Sequence, residues 1–144
     1  MNEARSRDNY FYFKALTTRW MDNDVYGHVN NVTYYSYFDT IANCYLIEQG
    51  GLDIHKAESI GLVVASSCEY HLPIAFPQVL EGAFRVNKLG TKSVEYGVAI
   101  FDGEHPEACA TGTFTHVFVD RASGKSIAIP GDIRRALIRA QNQH

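Results

Sequence analysis

The chain has 144 residues, 46% hydrophobic and 20% charged, with 13 Lys plus Arg against 16 Asp plus Glu for a formal charge of −3. That balance describes a single folded domain over residues 1–144 with a core of ordinary size, lacks the basic stripe of a nucleic-acid binder, and contains no apolar run near the ~18 residues of a membrane span. Cys44, Cys68 and Cys109 are odd in number, far apart and set in apolar sequence, as in a reducing compartment, and Met1–Asp8 has no apolar stretch of a secretory signal, so a cytoplasmic setting is expected.

Residues 1–8 are polar and expected to be disordered. Tyr10 to Trp20 reads as a strand, with Phe11, Phe13, Ala15 and Thr17 alternating against Tyr12, Lys14, Leu16 and Thr18. A polar loop follows, in which Asp22, Asp24, His28, Asn30 and Asn31 fall within ten residues. From Val32 to Ile47 no Pro or Gly interrupts the chain, and residues 34, 38, 41, 42, 45 and 46 form a wide apolar stripe at helical spacing. Asn30 and Asn31 are suited to cap this helix at its start, and Gly50-Gly51 to stop it. Only Ser36, Asp39, Thr40 and Asn43 read as its wet strip.

Residues 52–59 form a connector with room for a helical turn. Beyond Ile60 the period becomes extended: strands are expected at Leu62–Tyr70, Val79–Leu89, Lys92–Phe101 and Ala108–Val119, with a tight hairpin at Asp102-Gly103 and a short strand at Ser126–Ile129. Pro130 and Gly131 break the chain before Asp132, a cap candidate for a final helix within residues 131–144. An antiparallel sheet with one apolar face must cover it, and the long helix is the element able to do so. The expected class is α+β, an antiparallel sheet wrapped around one long central helix.

The polar loop sits at the positive end of that helix, where free N–H groups can hold an anion or polarise a carbonyl. A carboxylate beside such donors is half of an acyl-transfer site, although Asp-x-Asp before a helix also serves as plain capping. The run Arg19-Trp-Met-Asp-Asn-Asp24-Val-Tyr-Gly27-His28-Val-Asn30-Asn31, followed by Tyr34-Tyr35-x-Tyr37-Phe38, resembles the hot-dog fold acyl-CoA thioesterases of the 4-hydroxybenzoyl-CoA thioesterase family. The resemblance extends over nearly the whole chain and implies a hot-dog fold, an acyl-CoA substrate, no cofactor, and a homodimer or homotetramer joined at sheet edges with sites at the subunit boundary. It implies Asp24, the second aspartate of Asp-x-Asp-x-x-Gly, as the catalytic carboxylate. It also implies a backbone N–H at a helix start that receives the thioester oxygen, for which Ile60–Gly61 of a neighbouring subunit and the Gly27–Asn31 turn are candidates. Two features depart from the aryl branch of that family: Val25-Tyr26 stands where the aryl enzymes have Pro-Ala, and Gly27-His28-Val29-Asn30-Asn31 looks more like the broad fatty acyl-CoA branch.

A thioester needs little more than this. Its leaving thiol has a pKa near ~8.5 and departs with little proton assistance, so one ionised carboxylate and a donor for the developing oxyanion suffice. Asp24 is accordingly the expected nucleophile or general base, with Asp22 orienting the loop and Gly27, His28, Asn31, Tyr34, Gly61 and Ser66 the expected substrate-binding residues. The rival readings are a metal hydrolase built on Asp22, Asp24 and His28, which lacks a familiar ligand spacing, and a non-catalytic acyl-CoA binding or sensing domain, distinguished from the enzyme only by the attacking carboxylate.

Overall fold

The computed structural model describes residues 5–142. Strands β1 (Tyr12–Thr17), β2 (Ser59–Tyr70), β3 (Val79–Leu89), β4 (Ser93–Phe101) and β5 (Ala110–Asp120) form one antiparallel sheet in the order β1-β3-β4-β5-β2. Helix α1 (Asn31–Gly50) lies between β1 and β2 in the chain, and α2 (Gly131–Asn142) ends the described residues. The long first connection leaves β2 at the far edge of the sheet from β1 and sets α1 against the face between them. This is the expected α+β arrangement of a sheet around one long helix.

Helix α1 forms where its end signals place it. The Asn30 side chain accepts the Val32 N–H at 2.9 Å, and the chain leaves the helix through Gly51 at φ 70°, a left-handed conformation that glycine adopts without a Cβ clash. Tyr34, Phe38, Ile41, Ala42, Tyr45 and Leu46 are all buried, while Ser36, Asp39 and Thr40 face water. Burying each large apolar side chain of this face is worth about 2 kcal/mol, which outweighs the modest helix propensity of its tyrosines and β-branched residues. The stripe packs chiefly on α2 and on β1, β3, β4 and β5. Two glycines permit its close approach. A Cβ on Gly82 of β3 would collide with the Ile41 side chain; one on Gly112 of β5 would collide with the Ser67 carbonyl and stand 2.7 Å from the Phe38 ring.

Several boundaries differ from the sequence reading. The first strand ends at Thr17, because the Asp22 carboxylate accepts the Arg19 N–H at 2.9 Å and curls Trp20–Asp22 into a 3-10 turn. The Asp102-Gly103 turn is present, with Gly103 at φ 82°, yet it opens a longer loop over 102–109 in which Asp102 Oδ1 accepts the N–H groups of Glu104 and His105. Residues 126–129 form no strand: Ser126 makes an isolated bridge to Val119, the Ile127 N–H donates to the Phe118 carbonyl and the Ile129 N–H to the Thr91 carbonyl. Asp132 lies inside α2 rather than capping it. The expected disorder of residues 1–8 falls outside the described residues for 1–4. From Arg5 onward the segment is held: Ser6 pairs with Glu107, the Ala108 N–H donates to Arg5, and the Arg7 guanidinium stacks over Phe13 and Phe101 at 4.8 Å each. Arginine stacked on aromatic faces supplies the order that its polarity hides.

Because backbone and an immobile ring flank its missing side chain, Gly112→Ala is expected to cost about 2 kcal/mol of stability, read as a lower midpoint in denaturant unfolding with an unchanged slope.

Candidate active site

The loop between β1 and α1 is built on one buried carboxylate. Asp22 is 1% exposed; its Oδ2 accepts the Arg19 N–H at 2.9 Å and the Tyr37 hydroxyl at 2.6 Å, and its Oδ1 accepts Arg19 Nε at 3.0 Å. The Asp22 carbonyl accepts the Asn30 N–H at 2.8 Å. One residue thereby ties the end of β1, the close of the loop and the second turn of α1. Burial alone would raise the Asp22 pKa, but the Tyr37 hydroxyl, the Arg19 N–H groups and the guanidinium charge together hold it below the ordinary aspartate value. Burial and the same carboxylate push the Tyr37 hydroxyl pKa upward, so the hydroxyl stays a donor.

Between these anchors the loop folds on itself. Asn23 bridges to Val29, the Asp24 N–H donates to the His28 carbonyl at 2.9 Å, and the Gly27 N–H donates to the Asp24 carbonyl at 3.1 Å. Gly27 sits at φ 82°, which accounts for a glycine there. Asp24 Oδ1 accepts the Tyr26 N–H at 2.8 Å, whereas Oδ2 carries no partner among the described residues. The side chain is half-buried on the wall of an open groove lined by Trp20, Met21, Val25 and Tyr26. Those four are between 75% and 94% exposed, an unusual concentration of uncovered apolar surface around one carboxylate.

The segment 28–31 separates this groove from a smaller one of about 300 Å³ lined by His28, Asn31, Tyr34, Tyr70, His71 and Pro73. Here the start of α1 meets the end of β2. The first N–H groups of any helix lack acceptors within it; Asn30 takes those of Val32 and Thr33, at 2.9 Å each, and the Asn31 N–H has no acceptor among the described residues. Tyr34 is buried with its pKa pushed up to about 12, mainly by that burial.

Gly27 shares the open groove with Asp24, whereas His28, Asn31 and Tyr34 line the smaller groove on the other side of segment 28–31, and Asp22 orients the loop between them. Gly61 and Ser66 line neither groove. Ser66 is exposed in mid-strand opposite Phe114, and Gly61 lies opposite Phe118, where a Cβ would come within 2.9 Å of His116 Nδ1. Only the C-terminal end of β2 meets α1, and at ~3.3 Å per residue Gly61 lies about 30 Å farther along the strand than Tyr70. Within one chain it cannot serve the Asp24 loop. Conversely, Tyr70 and His71 reach the smaller groove without having been singled out in the sequence, where they read only as the close of a strand before Pro73. The metal reading finds no support in this geometry, because the Asp22 oxygens are directed at Arg19 and Tyr37 rather than at Asp24 or His28.

Residues 18–137 match the Thioesterase-like superfamily, and the chain belongs to that family. Its structure is the hot-dog fold. The crystal structure of the PA5185 protein from Pseudomonas aeruginosa PAO1 is 56% identical to it and superimposes with a TM-score of 0.93, covering 95% of this chain and 96% of that one. The YsmA protein of Bacillus subtilis strain 168 is 22% identical over 132 residues, 92% of this chain and 88% of its own. Slr0204, a 1,4-dihydroxy-2-naphthoyl-CoA thioesterase from Synechocystis, is 14% identical with a TM-score of 0.79, covering 88% of this chain and 95% of that one, which is a likeness of fold.

Asp22→Asn keeps the shape but loses the charge, and is expected to cost about 2 kcal/mol at neutral pH, the worth of charge-assisted hydrogen bonds. The folded pKa of Asp22 lies below its unfolded value near ~3.9, so its stabilisation is complete above that value and is lost as pH falls through the folded pKa. The gap in melting temperature between wild type and variant should therefore be full at neutral pH and close as the pH drops below about 4.

Proposed function

We propose that the protein is an acyl-CoA thioesterase and that Asp24 is its attacking or water-activating carboxylate. The observation that carries the reading is a half-buried carboxylate with one committed and one open oxygen, held in a pinned loop that leads into a helix start whose Asn31 N–H is unclaimed. Asp24 either attacks the thioester carbonyl carbon, giving an acyl-enzyme that water then hydrolyses, or takes a proton from water as its oxygen attacks. On either route the carbonyl oxygen gains negative charge, which the Asn31 N–H and the positive end of α1 stabilise. Collapse of the tetrahedral intermediate breaks the carbon–sulfur bond and releases coenzyme A as a thiolate, leaving the carboxylic acid where water attacked and the Asp24 acyl anhydride, which water then hydrolyses to the acid, where the carboxylate attacked. Gly27, His28 and Tyr34 shape the surface against which the acyl-CoA rests. Family membership and the likeness of fold to a named CoA thioesterase support the reading.

The active form is proposed to contain at least two copies of the chain. Among the described residues strand β2 is paired on one side only, and Leu62, Val63 and Val64 on it are 46%, 47% and 59% exposed. An apolar edge strand of this length invites pairing with its like. Ser66 and Gly61, too distant within one chain, retain a place in the site only through such a copy.

In thiol-release assays across acetyl-, hexanoyl-, decanoyl-, palmitoyl- and benzoyl-CoA, wild type is expected to hydrolyse at least one ester and Asp24→Asn none. Asn can still accept the Tyr26 N–H, so the variant's melting temperature should match wild type; near-normal turnover would rule out the assignment of Asp24. Light scattering at micromolar concentration should return a dimer or tetramer, and a monomer would remove the shared site.

A further inference from the structure

Tyr70, the last residue of β2, reaches across to α1. Its hydroxyl donates to the Asn31 carbonyl at 3.1 Å, and its ring packs edge-on against Tyr34 with centroids 4.8 Å apart. The base from which it reaches is rigid. Tyr70 pairs with Ala110 in the sheet, and immediately after it the N–H groups of His71 and Leu72 both donate to the Cys109 carbonyl, at 2.8 and 3.0 Å. A few residues on, the Ile74 carbonyl accepts the Val29 N–H at 2.8 Å. The sheet therefore grips the start of α1 at Asn31, the residue whose N–H is open.

We propose that Tyr70 is a positioning residue, whose hydroxyl holds the first turn of α1 so that the Asn31 N–H meets the developing oxyanion. The inference rests on the thioesterase reading above. A carbonyl has two lone pairs, so the Asn31 oxygen can take the tyrosine hydroxyl in addition to the helical N–H four residues on. That extra bond matters at a helix start, where few backbone bonds resist fraying. Three other ties hold the neighbouring atoms, namely the Asn30 side chain on the Val32 N–H, the Asn30 N–H on Asp22, and the Tyr37 hydroxyl on Asp22. All three come from the loop or from α1 itself. Tyr70 alone among these ties joins the site to β2, the strand whose outer edge is unpaired. A donor displaced by about 1 Å can lose a large part of its catalytic effect, so the hydroxyl acts on the chemical step through the Asn31 backbone it holds.

The test compares Tyr70→Phe, Tyr70→Leu and Asp24→Asn with wild type, using whichever ester of the five-member acyl-CoA panel wild type hydrolyses fastest. Tyr70→Phe keeps the ring on Tyr34 and loses only the hydroxyl. It is expected to lower kcat roughly ten-fold, to leave KM within about two-fold and the melting temperature unchanged, and to speed amide hydrogen exchange in the first turn of α1. Tyr70→Leu should in addition lower the melting temperature. If Asp24→Asn is inactive while Tyr70→Phe keeps wild-type kcat and wild-type exchange, the positioning role is overturned and the thioesterase reading stands. If Asp24→Asn turns over normally, or wild type releases thiol from no ester, the reading falls and the role of Tyr70 falls with it.

Discussion

A carboxylate taken out of water must be compensated on every side, and Asp22 meets that requirement by drawing three parts of the chain to one point. Arg19 just beyond β1, Tyr37 on α1 and the Asn30 N–H at the close of the loop all bond to this residue. The loop that carries Asp24 is therefore short, closed at both ends and free of slack. Its neighbour two residues on can keep one oxygen open to solvent because the first aspartate has absorbed the structural work. Of two carboxylates with nearly the same sequence neighbourhood, one is buried and bonded throughout while the other lines a groove; environment divides their roles.

The site lies where helix and sheet edge converge. Packing presses α1 against β1, β3, β4 and β5 through Phe38, Ile41 and Tyr45, all fully buried, and the glycines at 82 and 112 let the backbones close up. What packing leaves over is the helix start, with its unclaimed N–H, and the end of β2 beside it. Hydrogen bonds from Tyr70 and Asn30 settle the helix start, but neither takes the Asn31 N–H. The proposed chemistry asks for a carboxylate and a donor, and the loop and the helix start are the two elements on which that proposal draws.

Much of this was legible in the residues. The stripe of 34, 38, 41, 42, 45 and 46 is the buried face of α1, and Asn30 and Gly51 end the helix as their chemistry implies. The strands were legible in order, because period-2 patterning and turn residues are local signals. The misreadings share one cause. Arg5 and Arg7 look like frayed polar residues until Ala108 is placed beside the first and Phe13 and Phe101 beneath the guanidinium of the second, and Ser126–Ile129 looks like a strand until its partners prove too few. Gly61 and Ser66 suit a site by residue type, and only the direction of β2 removes them from the Asp24 loop of their own chain.

By itself the sequence determined the long helix, its caps, the order of the five sheet strands and the loop in which a carboxylate stands before a helix start, because each depends on contacts within a few residues. Which aspartate is buried, which N–H stays open, and the arrival of Tyr70 and His71 beside Asn31 were decided only in the tertiary structure. Those outcomes depend on partners some fifteen to forty residues apart in the chain, such as Asp22 with Tyr37 and Asn31 with Tyr70. Such pairs leave no periodic trace, since the geometry that joins them exists only once the sheet has closed around α1.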